Sequence, residues 1–227
     1  MVAPFGLRPK GTSIARVLPI ARVLAAQGAT VRVLIPPWDD PTNAGKRWTD
    51  RGVEIAHTQL GYGPMRVPVI LRDMLSELRS FEPDVVHAFK PIGYSGALAQ
   101  RLAARKAGGP LVVVDSDDLE GRKGWAGRRG MAIGGWLRDV QERATLRAAH
   151  RITVASRCLE EFVRGLGVPP GHILRIPNGH DVGDRGQGTG DAQGTGDGGQ
   201  GTGDRETLTW CYSGGRLVRP PGRGCGT

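Results

Sequence analysis

The chain has 227 residues, and its 31 lysines and arginines outnumber its 22 aspartates and glutamates, which gives a formal net charge of +9 at pH 7. Its longest apolar runs, such as Leu111 to Val114, are far shorter than the roughly 20 residues that span a bilayer, which excludes a membrane-spanning protein. Proline and glycine within Met1 to Gly6 interrupt the apolar stretch that a signal peptide needs, so we expect a cytoplasmic protein.

Cysteine spacing and basic charge limit the remaining classes of protein and of binding partner. Cys158, Cys211 and Cys225 are odd in number and widely spaced, which argues against a disulfide scaffold and a zinc site. A basic chain can bind nucleic acid or an anionic membrane surface. Because the basic residues are scattered and only 5% of residues are aromatic, we expect no nucleic-acid partner.

Helical and strand-like patterns alternate up to about Asp181. The first helix is predicted over Ser13 to Gln27, with a kink or a start near Leu18 because Pro19 lacks a backbone donor. Further predicted helices are Ile70 to Phe81, Ser95 to Ala107, Trp136 to Ala149 and Arg157 to Leu166. Predicted strands are Thr30 to Ile35, Val53 to Ala56, Asp84 to Phe89, Leu111 to Val114, Ile152 to Ala155 and Ile173 to Ile176.

Short apolar strands that alternate with helices predict a doubly wound, Rossmann-like α/β domain with a parallel sheet, because only burial on both faces makes a strand continuously apolar. Its ligands are expected at the carboxyl ends of the strands. We assign this domain to residues 1–181, a low-complexity Gly/Thr/Asp/Gln linker to 182–206, and a remnant strand with an irregular, unpaired tail to 207–227.

The linker assignment rests on the unit Gln-Gly-Thr-Gly-Asp, which appears three times and carries no large apolar side chain. A calcium-binding β-roll is the alternative. It is disfavoured because each turn of such a roll buries an aliphatic residue that these repeats lack.

The loop before the first helix is a candidate phosphate site. Lys10, Gly11 and Thr12 precede a helix N-terminus, where free backbone N–H groups and the helix dipole favour an anion. On local sequence alone, the simpler interpretation is a capped turn with a solvated lysine.

A second strand end carries Asp115, Asp117, Asp118 and Glu120. Four carboxylates within six residues require a metal ion, a cationic partner, sugar hydroxyls or solvent around them. The alternative for any one of them is a cap for the following turn.

Other candidate positions are weaker. His87 ends another strand, where a hydrogen-bonded core histidine is the simpler interpretation, and Lys90 just beyond it is placed to meet an anion. Basic and indole side chains around Arg122 to Arg129 and at Trp136 are typical of membrane interfaces, although a solvated loop explains them as well.

Taken in order, five segments resemble the N-terminal domain of GT-B fold retaining glycosyltransferases of family 4 (group 1). They are Pro9 to Thr12, Gln27 to Val33, Pro83 to Ala88, Ala149 to Ser156 and Ile176 to Asp181, the last being similar to the family's crossover between domains.

The resemblance implies transfer of a sugar from a nucleotide-sugar donor to a lipid or glycan acceptor, with retention of configuration and without a cofactor or bound metal ion. Gly11 and Thr12 would lie near the donor diphosphate, with Lys10, His87 and Lys90 as further donor-binding candidates. Asp115, Asp117 and Asp118 are the catalytic candidates by this resemblance and would lie near the acceptor or the reacting sugar, where many relatives carry a histidine.

The family's donor-binding second domain has no counterpart after Tyr212, so we expect a truncated chain that is inactive alone. One alternative is a receiver-like module that binds a divalent ion at Asp115 and Asp117. Another is a basic scaffold that acts at an anionic membrane, and peripheral membrane contact is also compatible with the enzyme.

Overall fold

A computed structural model of the chain describes residues 1–6, 13–105, 108–121 and 132–178, together with two short strands at 211–213 and 216–218. The predicted linker at 182–206 lies outside these residues. The helices are α1 (Leu18–Ala26), α2 (Arg66–Phe81), α3 (Gly93–Ala103), α4 (Ala132–Ala148) and α5 (Arg157–Gly165). The strands are β1 (Val31–Ile35), β2 (Arg47–Asp50), β3 (Val53–His57), β4 (Val85–Phe89), β5 (Leu111–Ser116), β6 (Arg151–Val154), β7 (Ile173–Arg175), β8 (Cys211–Ser213) and β9 (Arg216–Val218).

The strands up to β7 form two neighbouring groups that one residue joins. β1 pairs in parallel with β3, which carries β2 as an antiparallel edge, and β4, β5, β6 and β7 pair in parallel in that order. Val2 bridges Leu34 of β1 and Ala88 of β4, both in parallel. The N-terminal segment therefore takes the place of a central strand, and the predicted doubly wound α/β class is confirmed.

Apolar side chains cover both faces of the sheet. Val2 belongs to a buried cluster that includes residues of α2, α3, α4 and α5, and Ala3 belongs to a second cluster that includes residues of α1. Consecutive residues of an extended strand point to opposite faces, so α1 lies on one face of the sheet and the other four helices on the opposite face.

Helix α1 begins as the proline in its sequence requires. Ser13–Val17 forms a π-helical turn, and the regular α-helix starts at Leu18 with Pro19 in its first turn. A proline is tolerated there because the first backbone N–H groups of a helix have no partner within it. The predicted start near Leu18 is confirmed.

Three sequence-based expectations differ from the structure. β2 was not predicted, because its Arg-Trp-Thr-Asp sequence is polar and mostly exposed on an edge strand. The predicted tail strand is not unpaired, since β8 pairs antiparallel with β9. Cys158 is disulfide-bonded, which the prediction against a disulfide scaffold did not anticipate.

Strand β5 is two residues longer than predicted. It continues through Asp115 and Ser116, because Ser116 still pairs with Val154 of β6. The acidic segment therefore begins inside the sheet rather than in the loop after it. Among the described residues, no helix is long and apolar enough to cross a membrane.

Candidate functional site

Charged side chains gather at the carboxyl edge of the sheet, around the ends of β4 and β5. Ligands of open α/β sheets bind at this edge, next to the point where chain connections turn in opposite directions. Here that point is the Val2 segment, which lies between β1 and β4. Two groups of residues occupy the edge, one around Asp115 and one around Lys90.

Asp115 forms a buried, two-pronged ion pair with Arg16. The Arg16 Nε and Nη2 atoms donate to the two carboxylate oxygens at 2.6 and 2.7 Å, and the side chains are only 4% and 1% exposed. Burial alone would lower the pKa of Arg16, but the hydrogen bonds and charge of Asp115 outweigh it, so the pKa is raised. Arg16 is therefore a permanent cation at the end of β5.

The third nitrogen of the same guanidinium reaches the segment that follows β7. Arg16 Nη1 donates to the Ile176 carbonyl at 2.9 Å and to Asn178 Oδ1 at 2.7 Å. One arginine thus connects the turn before α1, the end of β5 and the segment similar to the family's interdomain crossover. Sequence reasoning missed Arg16, because nothing in its local pattern distinguishes it from a solvated helix residue.

A hydrogen-bond chain extends from Asp115 to His87. The Thr153 hydroxyl donates to Asp115 Oδ1, and His87 Nε2 lies 3.2 Å from the same hydroxyl. Since the only hydroxyl proton goes to Asp115, His87 donates from Nε2. Burial, together with the charges of the Met1 amino group and Arg16, lowers the pKa of His87 to about 3, so this histidine is neutral at pH 7.

Lys90 lies just past β4 in a strained backbone conformation. Its φ is +66°, which is unusual for a residue with a side chain and is often associated with functional sites. The Lys90 N–H donates to the Asp115 carbonyl, and its own carbonyl accepts from the Ser95 hydroxyl, both at 2.9 Å. These two bonds hold the residue in this conformation.

The Lys90 ammonium group is surrounded by three carboxylates. It lies 3.1 Å from Asp117 Oδ1 and 3.5 Å from Asp118 Oδ2, and it donates to Glu120 Oε1. Burial would lower the pKa of Lys90, but the three acidic groups raise it above the ordinary value. Burial raises the pKa of Asp118 to about 6, helped by the charge of Asp117. The cluster retains an excess of negative charge.

The same three carboxylates are the group of described residues best placed to hold a metal ion. One oxygen from each of Asp117, Asp118 and Glu120 lies within 4.8 Å of the others. The Lys90 ammonium contacts all three, so an ion that used them would have to displace it. Asp115, the other predicted ligand, has both oxygens bonded to Arg16.

Glu142 of α4 fixes the loop that carries the acidic residues. It is 1% exposed and accepts the backbone N–H groups of Glu120 and Gly121 at 3.0 and 2.9 Å. A side chain at Gly121 would place a Cβ 2.5 Å from Asp139 Oδ1 and 2.9 Å from Glu142 Oε2, so a larger residue would have to displace these carboxylates. Glu142 was not predicted, because its partner loop lies about twenty residues earlier in the chain.

We expect Glu142 to titrate near neutral pH. Burial raises its pKa to about 7, although the two backbone N–H groups oppose the rise. A carboxyl group with a raised folded-state pKa stabilises the fold fully below its ordinary value of 4.5, and this contribution is lost as the pH rises through about 7. Side-chain carbon NMR titration, with Glu142→Gln to assign the signal, measures the midpoint. A midpoint near 4.5 would contradict the prediction and show that the two backbone hydrogen bonds fully offset the effect of burial.

The predicted phosphate site falls largely outside the described residues. Lys10, Gly11 and Thr12 are not described, so their role in donor binding stays a prediction. The next residue, Ser13, is buried and donates from its hydroxyl to the Phe5 carbonyl at 3.0 Å. The two ends of this loop are therefore joined at the carboxyl edge, next to the Val2 segment.

Comparison with known proteins agrees with this architecture. The fold is similar to a structure of sucrose-phosphate synthase from Thermosynechococcus elongatus, with a TM-score of 0.53 and 16% identity over 78% of this chain and 87% of that one. It is also similar to a protein assigned as a UDP-N-acetylglucosamine 2-epimerase from Listeria monocytogenes, with a TM-score of 0.51 and 12% identity over 76% of this chain and 43% of that one.

At these identities the two structures establish the fold alone. A search of curated proteins found no match. The model of the family described as "Glycosyl transferase 4-like domain" matches residues 11–179, which is well over half of the chain. The resemblance to the N-terminal domain of GT-B glycosyltransferases is confirmed, and the chain belongs to the glycosyl transferase 4-like domain family.

Proposed function

We propose that the chain is the acceptor-side domain of a retaining glycosyltransferase that uses a nucleotide-sugar donor. The observation that carries the proposal is the buried network of charges at the carboxyl edge of the sheet, formed by Arg16 with Asp115 and by Lys90 with its three carboxylates. Membership of the family supports the same activity. The acceptor is a lipid or a glycan, whose hydroxyl groups suit an edge rich in carboxylates.

Asp118 is the group we assign to contact with the acceptor. Its side chain is 27% exposed, whereas those of Asp117 and Glu120 are 9% and 7% exposed. A carboxylate with a pKa of about 6 is mostly ionised at neutral pH and can accept a hydrogen bond from an acceptor hydroxyl. The Lys90 ammonium, 3.5 Å from Asp118 Oδ2, holds this carboxylate in place.

Asp115 takes a positioning role in this proposal. Both of its oxygens are bonded to Arg16, and one also accepts from Thr153. The pair holds the end of β5 against Ile176 and Asn178, and so fixes the edge from which Asp117 and Asp118 project. The donor diphosphate is assigned to the loop at Lys10, Gly11 and Thr12 by resemblance.

The chain alone is expected not to transfer sugar. The described residues up to 178 form one Rossmann-like unit, whereas the family's cleft lies between two. We therefore expect UDP- and GDP-sugars to bind the purified chain no more tightly than about millimolar, because one Rossmann-like unit offers only part of the contacts of a two-domain cleft. Calorimetry with the purified chain measures this, and micromolar binding would contradict it. Transfer that appears once a relative's second domain is appended would support the assignment.

A receiver-like module that binds a divalent ion is the competing function. The clustered oxygens of Asp117, Asp118 and Glu120 favour it, and the Lys90 ammonium among them opposes it. Magnesium titration of the chain separates the two functions. Saturable binding that Asp117→Asn abolishes would favour the module, whereas the glycosyltransferase assignment predicts no such binding.

The membrane partner is the remaining part of the proposal. A lipid acceptor requires the enzyme to meet the bilayer surface, and the net charge of +9 suits an anionic one. The basic segment from Arg122 to Arg129 lies outside the described residues, so it contributes here only through its sequence.

A further inference from the structure

Helix α4 presents three large apolar side chains to solvent on one side. Trp136, Leu137 and Val140 are 52%, 56% and 47% exposed. At 100° per residue, these three positions fall within about 100° of the helix circumference, so they form one continuous strip. Scattered single apolar residues on a surface need no explanation, but three adjacent ones mark an interaction surface.

Residues on the other side of α4 pack against or hydrogen-bond to the rest of the domain. Leu146 is buried in the core, and Glu142 holds the Glu120 loop. Gln141 accepts the Gly93 N–H at 2.9 Å, which ties α4 to the start of α3. The three side chains of the apolar strip remain about half exposed on the side that faces away from the core, and this exposure calls for a partner.

Charge distinguishes between the partners that could cover the strip. Along α4, Asp139 pairs with Arg143 at 2.8 Å and Glu142 is buried, so neither acid of the helix is left uncompensated on its surface. Arg138 and Arg147 are exposed. The chain segment just before the helix, from Arg122 to Arg129, contains four basic residues and one tryptophan in its sequence, and no acid.

Two classes of partner fit poorly. A second copy of the chain across a two-fold axis would bring two such basic helices together, and like charges repel. Nucleic acid would neutralise the charge but would leave the apolar strip without a partner, because phosphates do not solvate leucine and valine. An anionic bilayer satisfies both requirements, since it offers acyl chains to apolar residues and phosphates to arginines.

We propose that the outward face of α4, formed by Trp136, Leu137 and Val140, inserts into the surface of an anionic membrane. The proposal rests on the proposed function for its biological sense, because it would bring the domain to a lipid acceptor. Binding of this chain to a membrane requires no donor sugar, so it can be tested independently of sugar transfer.

Vesicle co-sedimentation of the purified chain tests the proposal. Vesicles of phosphatidylcholine with about one third phosphatidylglycerol should bind the chain, and pure phosphatidylcholine should bind it at least about fivefold more weakly. The double substitution Trp136→Ser with Leu137→Ser should lower binding to the anionic vesicles by about tenfold, because it removes the inserted side chains. Quenching of the Trp136 fluorescence by brominated lipid, relative to Trp136→Phe, should show insertion directly.

A matched control removes exposed apolar side chains from the opposite side of the sheet. Val23 and Leu24 of α1 are 57% and 38% exposed, and their double replacement by serine should leave vesicle binding unchanged. Circular dichroism melting checks that both variants fold.

Equal binding by the α4 variant and the wild type would overturn the proposal. So would a dimer that the α4 substitutions dissociate, or an RNA affinity that they weaken. A chain that binds vesicles but transfers no sugar once a relative's second domain is appended would instead contradict only the proposed function.

Discussion

Asp115→Asn is expected to lower the free energy of unfolding by about 3–5 kcal/mol, which is the usual effect of breaking a buried ion pair by removing one partner. The substitution leaves the Arg16 guanidinium, only 4% exposed, facing an amide that can accept but also presents hydrogens toward the arginine. Urea denaturation at neutral pH measures the change.

Asp50→Asn provides the matched control for this prediction. Asp50 pairs with Arg22 at 2.7 Å, but this pair is partly exposed, with side chains 29% and 19% accessible. Surface pairs contribute less than about 1 kcal/mol, so this variant should remain close to the wild type in stability. Equal, small effects at the two positions would show that the Asp115 pair is not a structural centre of the domain.

The same substitution separates a positioning role from a catalytic one. If Asp115 acts only through Arg16, hydrogen exchange of the Ile176 amide, which donates to the Val154 carbonyl at 2.9 Å, should quicken more than that of core amides. A variant that melts normally but loses transfer in an enzyme with a second domain would instead show that Asp115 contacts the reacting groups.

The sequence predicts the parallel sheet well because its parallel strands are rich in apolar, mostly β-branched residues. Val86, Val112 and Val114 are buried on one face of the sheet and Phe89 is buried on the other, and such burial leaves a local apolar signal in the central strands. The five segments that resemble the family, taken in their order along the chain, also predicted the type of domain. Edge strand β2 left no such signal, since one face of an edge strand can be polar.

The site is predicted only in part, because its decisive contacts are tertiary. Asp115, Asp117 and Asp118 are marked by their place after an apolar strand, and the structure puts them at the carboxyl edge as expected. No local sequence pattern marks the residues that these carboxylates and their loop contact. Arg16 lies 99 residues from Asp115, and Glu142 lies 22 residues from Glu120. Nothing local distinguishes such a charge from the exposed charges around it.

Lys90 illustrates how position can be predicted while environment is not. The sequence places it at a strand end, where a lysine suits an anionic ligand. In the structure it lies among three carboxylates of its own chain, so a phosphate would have to compete with them. Contact between the donor and Lys90 stays a prediction. Substitution of Lys90 tests whether the lysine neutralises the three carboxylates.

Lys90→Met is expected to destabilise the fold by about 3–5 kcal/mol at neutral pH, because it leaves three clustered carboxylates without their cation. The loss should shrink as the pH falls, since carboxyl groups that repel one another have raised pKa values and stabilise the fold when protonated. Asp118, whose pKa is already raised to about 6, should protonate first. Lys46→Met is the control, because Lys46 is exposed and its ammonium donates to the side chain of Asn43 rather than to a carboxylate.

The variant should also acquire a site for a divalent cation. With the ammonium gone, oxygens of Asp117, Asp118 and Glu120 within 4.8 Å of one another offer the hard ligands that calcium and magnesium prefer. Calcium should therefore raise the melting temperature of Lys90→Met by several degrees while leaving the wild type and Lys46→Met unchanged, because an ion that binds only the folded state stabilises it by mass action. A wild-type chain that calcium stabilises as strongly would mean that Lys90 does not occupy the cation position, and the divalent-ion module would then become the better account of this edge.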